Sequence, residues 1–280
     1  RYDYRSQKAF LQRLDYEKHT RRDTLSEEVC EYVDEVAKCP DRWQALSFST
    51  GALWHVVPDA FDVKVDVSTA SRFPDLDEQY LIGSAPSFPV FGLGFPDLDP
   101  ERTVGGSLTM GVRRPWVSME VSAYSYRVRN YVYFSPVLNA DGTPHVDVTV
   151  RGAYPSYDYR PIEASIMGTD GSLEVGESSV VGLELLGSLV RQRDTATGAH
   201  LTMSPPDRLT AVILGRPRGV GPVRDIEFGM SAELVAKQTR TDPSADFTPP
   251  PDAYALIGAQ ANAVIKTSSR SYRLGIEAHN

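Results

Sequence analysis

A short repeat places two pairs of carboxylates at a spacing that suits a metal ion. Phe73–Asp77 reads Phe-Pro-Asp-Leu-Asp, and the same five residues recur as Phe95–Asp99. Alternate aspartates in a loop can direct their oxygens toward one hard cation such as calcium. Neither copy continues into an EF-hand pattern, and Pro-Asp pairs also begin turns and cap helices. We therefore expect structural turns first, and calcium as the one alternative cofactor, at these residues: Asp75, Asp77, Asp97 and Asp99.

A second feature is a strand rich in tyrosine and arginine, Tyr124–Phe134. Strict alternation would place Arg127, Arg129, Tyr131 and Tyr133 on one face. Tyrosine favours strands for packing reasons alone, which is the first interpretation. The two residue types are also enriched in protein interfaces, and they stack on flat ligands. An interface is the second interpretation and a sugar-stacking platform the third.

The remaining polar motifs do not predict catalysis. The segment Gly215–Gly221 lacks the lysine and hydroxyl residue of a phosphate-binding loop, so it predicts a hairpin tip that presents Arg216 and Arg218. The five histidines are not spaced as metal ligands, and no Gly-x-Ser-x-Gly elbow occurs. These patterns favour a protein that is not an enzyme, and they name no catalytic residue.

The charge of the chain is unevenly distributed. The 280 residues carry a formal net charge of −8. Residues 1–22 hold seven basic and three acidic side chains, or +4, and the rest of the chain carries −12. This pattern predicts a basic arm, including Arg13, Arg21 and Arg22, that either docks on an acidic surface or forms a solvated amphipathic helix. An acidic body excludes a general nucleic-acid coat, so contact with nucleic acid is expected at most through the arm.

Hydrophobic periodicity divides the chain into two parts. Apolar residues at helical spacing predict helices near 6–19 and 25–38, hence an N-terminal helical arm over 1–45. From 46 to 280 the period is two, as in Phe61–Ser68, with frequent glycine and proline turns. This pattern predicts a mainly β domain, an antiparallel β-sandwich or jelly-roll-like barrel, with a proline-rich excursion near 69–103. The segment 178–192 fits either a helix or a strand.

The combination of an arm, a β body and arginine-rich surfaces resembles single jelly-roll viral capsid proteins in architecture. That resemblance implies a structural, self-assembling coat protein of the virion, whose partners are copies of itself and other structural proteins. The most apolar stretch, Ser179–Val190, is too short for a membrane span, so the protein is otherwise expected to be soluble and cytoplasmic. Two alternatives stay open. One is a lectin-like sandwich that uses Arg129, Tyr131 and Tyr133, with calcium. The other is a β-sandwich enzyme with unidentified carboxylates.

Overall fold

Strands make up most of the computed structural model. It describes residues 1–6, 11–15, 20–24, 42–84, 89–176, 180–241 and 249–280. One five-residue helix, α1, covers Leu76–Tyr80. The strands are β1 Tyr2–Ser6, β2 Leu11–Asp15, β3 Thr20–Thr24, β4 Arg42–Leu46, β5 Phe48–Val57, β6 Phe61–Arg72, β7 Ile82–Ser84, β8 Phe91–Leu93, β9 Glu101–Arg114, β10 Val117–Pro136, β11 Val146–Thr149, β12 Gly152–Val175, β13 Val181–Asp194, β14 Arg208–Gly215, β15 Val223–Val235, β16 Tyr254–Lys266 and β17 Ser271–His279.

Ten of these strands form one continuous antiparallel meander. The order across the sheet is β5, β6, β9, β10, β12, β13, β14, β15, β16, β17, so each strand lies beside the one that precedes it among these ten. β7, β8 and β11 attach at its margin, while β1 pairs with β4 and β2 with β3 in two small separate sheets. The segment 178–192, which fitted either element, lies mostly in β13.

The register of the meander sorts side chains into two faces of opposite character. Directly opposed residues in a sheet project to the same side, and neighbours along a strand alternate. One such row, on what we call the apolar face, crosses five strands at Val65, Leu108, Ala123, Thr169 and Leu189. The row shifted by one residue runs on the opposite, polar face. Representative members of that face are Lys64, Asp66, Ser107, Thr109, Glu120, Ser122, Asp170, Ser188, Thr210, Ser231, Glu233 and Gln260.

The apolar face is exposed along the whole sheet. Trp54, Met230 and Ile276 keep 67%, 66% and 76% of their surface accessible. Other exposed apolar residues on this face are Val67, Val104, Met110, Met119, Met167, Leu209, Ile213, Phe228, Leu234, Ile257 and Leu274. A contiguous apolar surface of this size marks contact with a membrane or a partner.

The predicted jelly-roll sandwich is therefore wrong, although the antiparallel, mainly β character is confirmed. A sandwich would bury this face against a second sheet. Here the sheet is a single meander whose apolar residues point outward. The alternation along Phe61–Ser68 has the same period in both architectures, which is why it did not discriminate between them.

The predicted N-terminal helical arm is also corrected where the chain is described. Residues 2–6, 11–15 and 20–24 form strands in place of the helix expected near 6–19. Arg13 lies directly opposite Arg22 in the β2–β3 pair, and Arg21 lies opposite Leu14. The helix expected near 25–38 lies outside the described residues. No helix among the described parts of the chain is long and apolar enough to span a membrane.

Connections between the meander strands alternate strictly in length. Short ones join β5 to β6, β9 to β10, β12 to β13, β14 to β15 and β16 to β17, and span from two to seven residues. Long ones join β6 to β9, β10 to β12, β13 to β14 and β15 to β16, and span from 13 to 28 residues. Because consecutive strands run antiparallel, all short connections lie at one end of the sheet and all long ones at the other. The proline-rich excursion predicted near 69–103 is the first of the long connections.

Two tyrosines lie flat on the polar face because glycines stand beside them. Tyr124 is directly opposite Gly168, and Tyr126 is opposite Gly105. A Cβ built on Gly168 would lie 2.4 Å from the Tyr124 hydroxyl oxygen, and one on Gly105 would lie 2.5 Å from the Tyr126 ring. Aromatic cover of a neighbouring glycine helps to fix the register of a sheet.

Adjacent leucines test whether the apolar face contacts a membrane. Leu185 lies on the apolar face and Leu186 on the polar face of β13, at nearly the same depth. We expect Leu185→Arg to destabilise the folded protein by about 2 to 4 kcal/mol in lipid, because a charge on the lipid face near mid-membrane carries that cost. Leu186→Arg should cost much less, since Glu120 and Glu233 line the groove that Leu186 faces. Urea unfolding of the full-length protein in vesicles measures both, and equal losses would contradict the assignment of faces.

Candidate functional site

The polar face contains an open groove of about 380 Å³ over the middle of β10, β12, β13 and β14. Its charged lining consists of Glu120, Asp170, Glu233 and Arg208, and hydroxyl residues fill the spaces between them. Arg208 contacts Glu233 at 3.7 Å. Three carboxylates against one guanidinium make this wall acidic, so it attracts cations and polar solutes.

Arg216 organises a second group of acids near the short-connection end of the polar face. Its Nε donates to Glu227 at 3.0 Å, and its Nη2 lies 3.9 Å from both Glu174 and Glu184. The predicted hairpin tip is present between β14 and β15, but Arg216 folds back onto the sheet. Of the two arginines only Arg218 stays exposed at the turn.

A β-bulge separates the tyrosine and arginine side chains that strict alternation had placed together. The register of β10 against β12 shifts between Val128 and Tyr131. As a result Arg127 and Arg129 lie on the apolar side, while Tyr131 and Tyr133 join the polar face with their ring centroids 6.4 Å apart. The structure therefore does not bring these four residues together on one platform. The extra residue of the bulge could not be read from the sequence.

The tyrosines anchor a long connection that folds over the polar face. Val128 and Ala164 bury Leu201 of the β13–β14 connection, and Tyr131 and Tyr133 pack against that cluster. The backbone N–H of Thr202 donates to the Tyr133 hydroxyl at 2.9 Å. The end of the sheet that carries the long connections is thus partly covered from the polar side.

A second anchor at the same end is an ion-pair network around Glu101. Arg72 donates to Glu101 at 2.6 Å and to Glu78 of α1 at 2.9 Å. The other carboxylate oxygen of Glu101 accepts the backbone N–H of Val132 at 2.7 Å. Glu101 is almost fully buried, and its charge is compensated at both oxygens, as a buried carboxylate requires.

Asp207 connects two long connections to the sheet. It precedes β14 and accepts hydrogen bonds from Arg191 of β13 at 2.6 and 3.0 Å. Arg240, in the β15–β16 connection, donates to the same carboxylate at 2.9 Å. The hydrogen bond from Arg191, followed by the positive charge of Arg240, holds the pKa of Asp207 below its usual range.

The repeated aspartates lie in the β6–β9 connection. Asp75 precedes α1, and its backbone N–H donates to Glu78 at 2.8 Å, while its carboxylate lies 3.6 Å from Arg5. Asp77 lies in the first turn of α1, whereas Asp97 and Asp99 lie outside the regular elements. No group of three or more metal-ligating side chains occurs within the described ranges. Calcium binding at these residues stays a prediction.

Aromatic residues border the apolar face at its short-connection end. Trp54, Phe228 and Tyr272 point to that side, and Trp116 lies in the turn between β9 and β10. All four are well exposed. Aromatic girdles of this kind mark the interface between the hydrocarbon and the headgroups in transmembrane β-barrels, whose strands alternate apolar-out and polar-in.

The comparison with protein families agrees with this geometry. Residues 1–280 match the family described as TonB dependent receptor-like, beta-barrel. The chain belongs to this family. No curated protein matches it.

Solved structures of membrane receptors and a transporter have a similar fold. The copper transporter OprC superposes with a TM-score of 0.64 at 14% identity, over 85% of this chain and 34% of that one. The siderophore receptor PirA from Acinetobacter baumannii gives 0.57 at 15% identity, over 85% and 37%. The ferric enterobactin receptor PfeA from Pseudomonas aeruginosa gives 0.57 at 15% identity, over 84% and 36%. This chain spans roughly a third of the length of these structures.

Membership of the TonB-dependent receptor family corrects the functional predictions. A self-assembling viral capsid protein, with a virion or cytoplasmic location and copies of itself as partners, is wrong, and so are the lectin-like and enzymatic alternatives. The expectation that the protein has no membrane span is wrong as well, because the family consists of β-barrels of the bacterial outer membrane. The coarser expectation that the protein is not an enzyme agrees with a family of receptors and transporters.

The residues that line the polar face were missed by sequence reasoning. Glu120, Asp170 and Glu233 each occupy an ordinary polar position in an alternating strand, so none stands out as a motif. One signal was available: alternating segments of about ten residues, separated by turns, are typical of membrane barrels, although the signal is weak in each strand. Alternating short and long connections would have strengthened it.

The Asp207 contacts predict how the long connections respond to mutation and pH. Asp207→Asn should speed protease cleavage within 195–207 about tenfold, because charge-assisted hydrogen bonds contribute on the order of 1.5 kcal/mol or more. Since the pKa of Asp207 is lowered on folding, its contribution is present above the ordinary pKa and is lost as pH falls through the lowered value. Asp252→Asn removes an exposed pair with Lys237 and serves as the control. Equal cleavage of both variants would contradict the anchoring role.

Proposed function

We propose that this chain forms part of the transmembrane barrel wall of an outer-membrane receptor that takes up a small polar cargo. The observation that carries this proposal is the opposite polarity of the two faces on one meander with alternating short and long connections. In outer-membrane barrels short turns lie on the periplasmic side and long loops on the extracellular side. We accordingly assign the end of the sheet that carries the long connections, with Asp207 and Glu101, to the extracellular side.

The polar face then lines the lumen. Glu120, Asp170 and Glu233 surround an open groove there, and charged and hydroxyl side chains continue along the same face. A wall of this composition presents hydrogen-bonding groups to water, a polar solute or a plug, and it provides little apolar contact surface. Barrels of about 22 strands have a wide lumen that is closed by a plug, and a wall of ten meander strands suits a barrel of that size.

The proposed cargo is a metal ion or a metal chelate. The support is the set of similar folds, whose names include a copper transporter and receptors for siderophores. An acidic wall favours passage of cations through electrostatic attraction. The proposed energy source is coupling to TonB, as the name of the family indicates.

Uptake in cells tests the proposal. A strain that lacks the full-length protein should accumulate less of at least one substrate from a panel of radiolabelled ferric siderophores and copper, and complementation should restore uptake. A protonophore should abolish the restored portion, because coupled transport needs the membrane potential whereas a passive pore does not. Uptake of the whole panel at the same rate with and without the protein would overturn the proposal.

The acidic wall has its own variant. Glu120→Gln combined with Glu233→Gln should slow uptake several-fold at equal receptor abundance, because the groove then attracts cations less strongly. Asp59→Asn, in the short turn before β6, is the matched control that changes the charge but not the wall. Unchanged uptake by the wall variant would show that the groove does not contribute to the pathway.

A further inference from the structure

Four exposed arginines lie on the apolar face just beyond its last apolar residues, toward the long connections. They are Arg102 on β9, Arg127 and Arg129 on β10, and Arg193 on β13. Toward the short connections the same face continues with apolar residues such as Leu108 and Leu189. We call these four residues the arginine patch.

The register brings the arginine patch together. Arg102 lies directly opposite Arg129, while Arg127 and Arg193 flank Ser165 of β12 from the two sides. Adjacent strands are about 4.8 Å apart, so all four backbone positions fall within a region on the order of 15 Å across. Side chains as long as arginine can therefore converge on one or two anionic groups.

The patch carries charge that the described protein does not neutralise. None of its four guanidinium groups makes a hydrogen bond or an ion pair with another described residue. In contrast, Arg191, two residues before Arg193 on the same face of β13, is held by Asp207. Glu163 is an acidic neighbour on the same face of β12, and it leaves the patch with an excess of three positive charges. Like charges directly opposite each other destabilise a sheet, so the pair of Arg102 and Arg129 is unfavourable. A bound anion would remove that cost.

We propose that the arginine patch binds the phosphate group of a lipid headgroup in the leaflet next to the long connections. The patch lies on the membrane side of the wall and continues the apolar face, so an anion that reaches it at this depth is attached to an acyl chain. Guanidinium groups bind phosphate through paired hydrogen bonds, which suits arginine better than lysine. This inference rests on the proposed function only in requiring that the barrel sits in a membrane.

Lipid selectivity tests the proposal on the full-length protein in a neutral detergent. Native mass spectrometry compares phosphatidic acid with phosphatidylcholine of identical acyl chains, and we expect the former to be retained preferentially. Arg127→Gln combined with Arg129→Gln should weaken that retention roughly thirtyfold, since each arginine near a lipid surface contributes about 1 kcal/mol. Arg224→Gln combined with Arg273→Gln makes the same charge change on the polar face and should leave retention unchanged.

Thermal melting separates binding from a folding defect. In phosphatidylcholine, Arg102→Gln should melt at the same or a higher temperature than the parent, because repulsion with Arg129 is relieved. On going from phosphatidylcholine to phosphatidic acid, the melting temperature of the same variant should rise less than that of the parent. A lower melting temperature in both lipids, or equal gains for parent and variant, would overturn the proposal.

Three further outcomes keep this inference distinct from its alternatives and from the proposed transport. A rise in melting temperature with inorganic pyrophosphate equal to that with phosphatidic acid would overturn the lipid assignment in favour of a soluble anion. Lipid selectivity that is absent from a receptor with normal uptake would overturn the patch alone. Selectivity that is present in a receptor without uptake would support the patch and contradict the transport proposal.

Discussion

The structure depends on one constraint: inside a membrane every backbone N–H and C=O must find a partner within the protein. Ten antiparallel strands meet it by pairing each interior strand on both sides. Once that ladder is formed, the register of every residue is fixed, and the pleat decides which side each side chain faces. Apolar and polar residues then alternate along each strand, so one face of the sheet suits lipid and the other suits water.

Departures from regular pairing are placed where the solvent changes. The bulge after Val128 lies at the level where the apolar face ends, and it turns the following tyrosines toward the lumen side while Arg129 stays on the membrane side. Asn130 takes a left-handed φ of 52°, which is the local cost of the inserted residue. One extra residue in β10 therefore serves both the covering of the lumen and the charge at the membrane border.

From residue 46 onward, strand content and turn positions could be predicted from the sequence, because period-two alternation and glycine or proline turns are local signals. The direction in which the apolar side faces could not. Val63, Val65 and Val67 would look the same in a sandwich, where they meet another sheet, and in a barrel, where they meet lipid. The site was harder still: Asp207 gains its meaning from Arg191 and Arg240, which lie 16 and 33 residues away, and only the fold brings them together.

The carboxylate of Asp207 has a consequence for how the long-connection end of the sheet can move. Arg191 of β13 and Arg240 of the β15–β16 connection share the Asp207 carboxylate. When either arginine is released, the carboxylate rotates more freely and holds the other arginine less firmly. The two connections are thus thermodynamically linked through this carboxylate, and Arg240 also donates to the carbonyl of Pro205 at 3.4 Å. A solute that displaces one connection would therefore lower the free energy needed to displace the second, so the two would open cooperatively.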